Sequence, residues 1–197
     1  MADAGKQENR VMLATGQGMK RLFFALWPEQ AVRSQCHAVQ KNIRVAGLQL
    51  VPADNLHITL LFLGNIDSKQ QAAIIEAAAM LTAPYLTFTF DQLSYWKKPA
   101  VLCLTTLQFD NRASILAEQL SAIAEQNSVS VDKRPFQPHV TLARKVKQPA
   151  NLDFAPIVWQ AMEFCLVESL TAAKGAEYRV IYRWKLKSPD LDEDCIF

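Results

Sequence analysis

Two four-residue stretches of this 197-residue chain carry side chains able to move protons near neutral pH, and they repeat one pattern: His57-Ile58-Thr59-Leu60 and His139-Val140-Thr141-Leu142. Only three histidines are present, so the pattern absorbs two of them, and composition alone would produce such a repeat in roughly 1% of chains. Each copy lies among apolar, β-branched residues that read as a strand, where residues i and i+2 share a face. His57 and Thr59 then point one way and Ile58 and Leu60 the other; His139 and Thr141 separate from Val140 and Leu142 in the same manner. Two imidazoles facing one cleft, one neutral and one protonated, can take a proton from a nucleophile and give one to a leaving group in a single displacement. The two hydroxyls supply hydrogen bonds to a phosphoryl oxygen between them. This set already contains acid, base and charge stabilisation, so no metal or other cofactor is expected.

The remaining pattern supplies elements to hold these strands. Arg21–Trp27 reads as a first strand, and Pro28 as the first turn of a helix whose stripe is Val32, Cys36, Val39 and Ile43, running to Gly47. His37 falls beside that stripe, without a threonine partner, and reads as a helix-surface residue with no chemistry. Pro52–Asn55 is a turn into the first motif strand, which Gly64-Asn65 should end. Ser68 and Gln71 suggest a capping box for a helix through Leu81, broken by Ala83-Pro84. Leu86, Phe88 and Phe90 alternate with threonines as a half-buried strand, and Ala100–Leu107 is another. Asp110 can cap a helix with Leu116, Leu120 and Ile123 on its core face, up to about Gln126. Lys133–Pro138 then delivers the second motif. Trp159–Leu170 reads as one long strand, and Tyr178, Val180, Tyr182, Trp184 and Leu186 as one face of the last.

The economical architecture is α+β: two lobes, each a small antiparallel sheet backed by helices, with one H-x-T-L strand from each lobe facing a central cleft. Residues 1–18 read as a flexible N-terminal extension, 19–187 as a single bilobal domain, and 188–197 as a flexible acidic tail. No glycine-rich phosphate loop is present, which removes Rossmann and P-loop readings.

Paired H-x-T-L motifs some eighty residues apart resemble the two-histidine phosphoesterases, and within them the RNA 2′,3′-cyclic phosphodiesterases, the LigT or 2′-5′ RNA ligase group. The likeness extends to Arg21–Leu26, Asn55-Leu56, Phe136-x-Pro138, Arg144 and the closing Tyr178–Leu186 strand, and covers about Arg21 to Lys187. It implies the bilobal fold and hydrolysis of a 2′,3′-cyclic phosphate at an RNA end by cleavage of the P–O3′ bond, leaving a 2′-phosphate. It further implies His57 as proton donor and His139 as acceptor, roles that the near-identical motifs cannot themselves assign. Reversible 2′-5′ ligation is a further implied activity. Two other readings fit the residues: a related phosphodiesterase acting on a cyclic nucleotide-sugar phosphate or 2′,5′-oligonucleotide, and a non-catalytic RNA-end binder.

Arg144 is a phosphate-binding candidate with a geometric condition attached. By strict alternation it faces away from His139 and Thr141, so it reaches the cleft only past a bulge or strand end after Leu142. Phe23 resembles the family's first-strand aromatic and could stack on a nucleobase; its neighbour Phe24 makes a core role the alternative.

A net charge of +2 is too small for tracking along a long phosphate backbone, so any nucleic-acid contact should be local. Basic residues group at Lys97-Lys98, Lys133-Arg134 and Arg144-Lys145-x-Lys147; the first two groups read equally well as solvated loop ends. Cys36, Cys103, Cys165 and Cys195 show no zinc spacing, and three lie in apolar segments as free thiols would in a reducing cytosol. No stretch has the length of a membrane span. A cytoplasmic monomer that acts on RNA ending in a cyclic phosphate, or on a related cyclic nucleotide, and has no membrane contact is the expectation.

Overall fold

A computed structural model of the chain describes residues 18–172 and 175–188. The expected N-terminal extension and acidic tail therefore lie outside the described residues, apart from Gly18 and Ser188. Ten strands and three helices follow in the order β1 (Lys20–Leu26), α1 (Gln30–Asn42), β2 (Gln49–Leu50), β3 (Ile58–Ile66), α2 (Ser68–Ala79), β4 (Leu86–Phe90), β5 (Gln92–Trp96), β6 (Val101–Thr105), α3 (Arg112–Gln126), β7 (His139–Arg144), β8 (Ile157–Ala161), β9 (Glu163–Ala172) and β10 (Gly175–Lys185). A 3₁₀ turn at Ala53–Asn55 leads into β3.

Two four-stranded antiparallel sheets carry the motifs. The first has the order β10-β9-β1-β3 and receives His57 at the entry to β3; the second, β2-β7-β6-β5, holds His139 at the start of β7. A two-stranded sheet, β4-β8, stands apart from both and was not expected. The two halves share one core. Leu22, Phe24 and Leu26 of β1, Val32 and Cys36 of α1, Ile74 of α2, Leu116 and Leu120 of α3, and Leu102 and Leu142 of the second sheet all belong to a single buried cluster. The opposite face of β1 is buried too. Phe23 and Ala25 meet Cys165 and Val167 there, with Trp27, Tyr178 and Val180 packed against them.

Bulges determine what faces the cleft. In β3, Thr59 pairs with Ala25 and Leu61 with Phe24, so Leu60 is an extra residue, and Leu60 and Leu61 both enter the core. In β7, Thr141 pairs with Cys103 and Ala143 with Leu102, so Leu142 is extra, and Leu142 and Ala143 are both buried. Each H-x-T-L motif thus bulges at its own leucine. An extra residue reverses the alternation beyond it, which turns the residue five places after each histidine, Phe62 and Arg144, to the face of His and Thr.

Local chemistry moves several expected boundaries. Gly64 does not end β3: at φ +70° it sits beside a second extra residue, Leu63, and the strand continues to Ile66. Asp67, not Ser68, caps α2, its carboxylate accepting from Gln70 N–H while the Gln70 side chain bonds back to Asp67 N–H. The stretch from Trp159 to Leu170 is not one strand, because Met162 separates β8 from β9 and the two join different sheets. Nor does β10 present a single face: Ile181 is an extra residue between Val180 and Tyr182, so Tyr178 and Val180 lie on the cleft side while Trp184 and Leu186 belong to the core.

Candidate active site

The two histidines are held alike. His57 Nδ1 lies 2.6 Å from the carbonyl oxygen of Asn55, and His139 Nδ1 lies 2.8 Å from that of Gln137, each two residues upstream. A carbonyl only accepts, so the Nδ1 of each ring carries the hydrogen, and in the neutral form Nε2 is left with a lone pair. In His57 that Nε2 receives the Thr59 hydroxyl at 3.0 Å. Thr141 lies beside Cys103, with 3.7 Å between oxygen and sulfur. The strands that carry the two H-x-T pairs belong to different sheets, yet β3 and β7 touch, and the positive charges of His139 and Arg144 act on His57.

His57 occupies an aromatic enclosure. Trp27 lies parallel to its ring at 5.4 Å, Tyr178 meets it edge-on at 5.2 Å, and Phe23 is tilted against it at 5.1 Å. Burial among these rings lowers its pKa from 6.5 to about 4; the Asn55 carbonyl opposes the shift, and the positive charges of His139 and Arg144 add to it. His139 packs against Trp96, with ring centroids 4.6 Å apart. Burial lowers its pKa as well, against the pull of the Gln137 carbonyl. Cys103 is pushed up to about 11 by burial and stays a thiol at neutral pH.

Two hollows open on either side of Phe62, which lines both. One, of about 620 Å³, is bounded by Thr59, Trp96, Arg134, Phe136 and His139; the other, of about 580 Å³, by Arg21, Asn55, Arg144, Ser169 and Tyr178. Arg144 meets its geometric condition through the Leu142 bulge and stands exposed at the edge of the second hollow. Phe23 does not meet the expectation of base stacking. It is 2% exposed, packed between His57, Phe62 and Tyr178, and offers no free ring face. The accessible aromatic is Phe62, 58% exposed and in contact with Phe23.

Sequence reasoning missed Phe62 because alternation places it on the core face, and only the bulge at Leu60 reverses that. It also missed Trp27, Trp96 and Tyr178 as walls of the imidazole sites, since their roles depend on cross-strand neighbours. Gln40 is a third omission. This α1 residue is 1% exposed, and its Nε2 donates to the carbonyls of Val51 at 2.8 Å and of the bulged Leu142 at 2.7 Å. With both amide hydrogens used there, Gln40 Oε1 can only accept, and His37 Nδ1 donates to it at 3.0 Å. His37 thus orients the group that clamps the second bulge. A buried glutamine on an apolar helix stripe was the available signal.

Among the described residues no group of three or more His, Cys, Asp or Glu side chains could hold a metal ion. No helix among them is long and apolar enough to cross a membrane.

Comparison with known proteins agrees with this geometry. Residues 26–103 match the model of the LigT-like phosphoesterase family. The chain is 30% identical over 170 residues to the RNA 2′,3′-cyclic phosphodiesterase of Escherichia coli strain K12, covering 85% of this chain and 97% of that protein. It is 30% identical over 182 residues to the protein of the same name from Thermus thermophilus, covering 85% and 90%. Among solved structures, E. coli LigT in complex with 3′-AMP superposes with a TM-score of 0.78 at 30% identity, over 86% of this chain and 99% of that one. The twin bulged H-x-T-L strands thus belong to a fold shared over nearly the full length of these relatives, and the chain is a member of the LigT-like phosphoesterase family.

Proposed function

We propose that this enzyme is an RNA 2′,3′-cyclic phosphodiesterase in which His57 and His139 act as the acid–base pair on a cyclic phosphate held between them. The observation that carries this reading is the shared anchoring of the two imidazoles: each is fixed at Nδ1 by a backbone carbonyl two residues upstream, which reserves Nε2 for proton transfer. The curated relatives from E. coli and T. thermophilus bear the name of this activity.

Water attacks phosphorus while His139 Nε2 takes its proton, and His57 Nε2 protonates the departing ribose O3′, leaving the phosphate on O2′. Thr59 and Thr141 hydrogen-bond the non-bridging oxygens, and Arg144 faces the charge that accumulates there. Phe62 offers the ring against which the terminal base lies. His57 is the donor by the family resemblance, yet burial keeps it neutral down to about pH 4 in the free protein. Its proton is therefore taken up with the substrate: the phosphodiester anion favours imidazolium, and the faces of Trp27 and Phe23 attract the cation once it forms. The domain is a single catalytic unit that works as a monomer in the cytoplasm.

A short RNA ending in a 2′,3′-cyclic phosphate tests this reading. The expected product is the 2′-phosphomonoester, identified by its resistance to a 3′-specific phosphatase; exclusive formation of the 3′-phosphomonoester would overturn the assigned bond cleavage.

A further inference from the structure

The three basic groups of the sequence have different fates. Lys133 pairs with Glu125 at 3.0 Å and Arg134 with Asp132, which neutralises that group. Arg33, Arg112, Arg179 and Arg183 are likewise matched to carboxylates. The other two groups merge. Lys97 and Lys98 lie in the turn between β5 and β6, and Lys145 and Lys147 follow β7; Val146 N–H donates to the Ala100 carbonyl at 3.0 Å, and the Tyr95 hydroxyl donates to the Val146 carbonyl at 3.3 Å. All four lysines are exposed, and among the described residues none forms an ion pair.

This corner joins the active site at two points. Trp96, immediately before Lys97, is the residue whose ring packs on His139, and Arg144, immediately before Lys145, is the cation turned into the cleft. Val101, where β6 begins after the lysine turn, is the register partner of Arg144. Four unpaired ammonium groups at the edge of a phosphate-handling cleft form a single-signed local field within a chain of net charge only +2.

Resting on the phosphodiesterase reading, we propose that Lys97, Lys98, Lys145 and Lys147 bind the phosphates on the 5′ side of the reacting end, so that an RNA chain of several nucleotides is bound more tightly than a cyclic mononucleotide. An ammonium is a point charge that needs no base identity, which suits sequence-independent capture of an RNA end. The hollows on either side of Phe62 would serve a single nucleotide as well as a chain, and none of the four lysines lines them; charges outside the hollows serve only a chain.

The test compares the intact protein with the variant K97Q/K98Q/K145Q/K147Q. Binding of an RNA of about six nucleotides ending in a 2′-phosphate, and of the corresponding mononucleotide, is titrated between about 50 and 200 mM salt. With a slope of about −0.7 per neutralised phosphate, four contacts make the intact protein lose about 50-fold more affinity for the longer RNA across that range than the variant does. Mononucleotide binding, and turnover of the cyclic mononucleotide, stay unchanged in the variant. Equal affinity of the intact protein for both ligands overturns the proposal, as does a salt slope that the substitutions leave intact. Because binding is read directly, either result is separable from failure of the phosphodiesterase reading, which would show as absent turnover of the cyclic mononucleotide and of the cyclic-ended RNA alike.

Discussion

A backbone carbonyl at Nδ1 gives His57 and His139 the same anchoring in different surroundings. His57→Ala and His139→Ala are each expected to lower turnover by roughly 10²–10⁴-fold, the range for loss of a general acid or base. Because the two act in one displacement, the double variant should be little slower than the worse single one; kcat within a few-fold of normal in either single variant would break the paired mechanism. The surroundings set the pH dependence. Only the pair holding one proton is productive, and in the free protein the pair gains its second proton near pH 4 and loses its last below the usual histidine value. The profile of kcat/KM should therefore be a bell with its maximum on the acid side of 6.5. A bound phosphodiester anion favours imidazolium, so the limbs of kcat should lie at higher pH than those of kcat/KM. Profiles that coincide, or a kcat/KM maximum above pH 8, would remove these imidazoles as the titrating pair.

Among the elements, the two bulged strands decide the site, and they show where a sequence stops being readable. Period-two alternation correctly placed His57 with Thr59 and His139 with Thr141, and Leu86, Phe88 and Phe90 in the core. It failed wherever one strand gained a residue its partner lacked, at Leu60, Leu63, Leu142 and Ile181, because an extra residue is a property of a pair of strands and not of either alone. The β8–β9 boundary was hidden for the same reason: Trp159 to Leu170 is uniformly strand-like, and its division reflects two different partners, β4 and β1. Gln40 fastens one of these irregularities to a helix. Gln40→Met keeps the length but removes both donors, leaving the buried Val51 carbonyl without its partner and the Leu142 carbonyl with only Val51 N–H. A loss of about 1–3 kcal/mol in urea unfolding is expected. Since the bulge at Leu142 aims Arg144, KM should rise by a larger factor than kcat falls. Unchanged unfolding would show that the clamp carries no weight, and a fall in kcat alone would separate it from Arg144.

At the scale of the molecule, one core supports both halves, and the cleft is a seam between two sheets that share it. The bilobal α+β plan was legible from the duplicated motif, because two cleft-facing strands some eighty residues apart need separate supporting layers. The β4-β8 sheet was not, since its pairing joins segments about seventy residues apart that have no shared motif. In the proposed mechanism the chemistry rests on imidazole, hydroxyl and guanidinium groups. Turnover of a cyclic-ended RNA should accordingly survive extensive dialysis against a chelator, with kcat unchanged within error. Loss of activity that one divalent ion restores would contradict this account.

The Nδ1 anchors also govern the interval between one turnover and the next. A ring tied to a backbone carbonyl does not swing round to present its other nitrogen, so no internal rotation carries a proton from one imidazole to the other. When the displacement proposed above ends, His57 would have given its proton and His139 would hold one, the reverse of the starting arrangement. That discharged pair is poised to drive the reaction backwards on any product still in the cleft, and forward work resumes only after His139 has lost its proton to water and His57 has gained one with the next substrate. The enzyme thus carries a brief memory of the direction it last ran, erased by solvent and not by the protein.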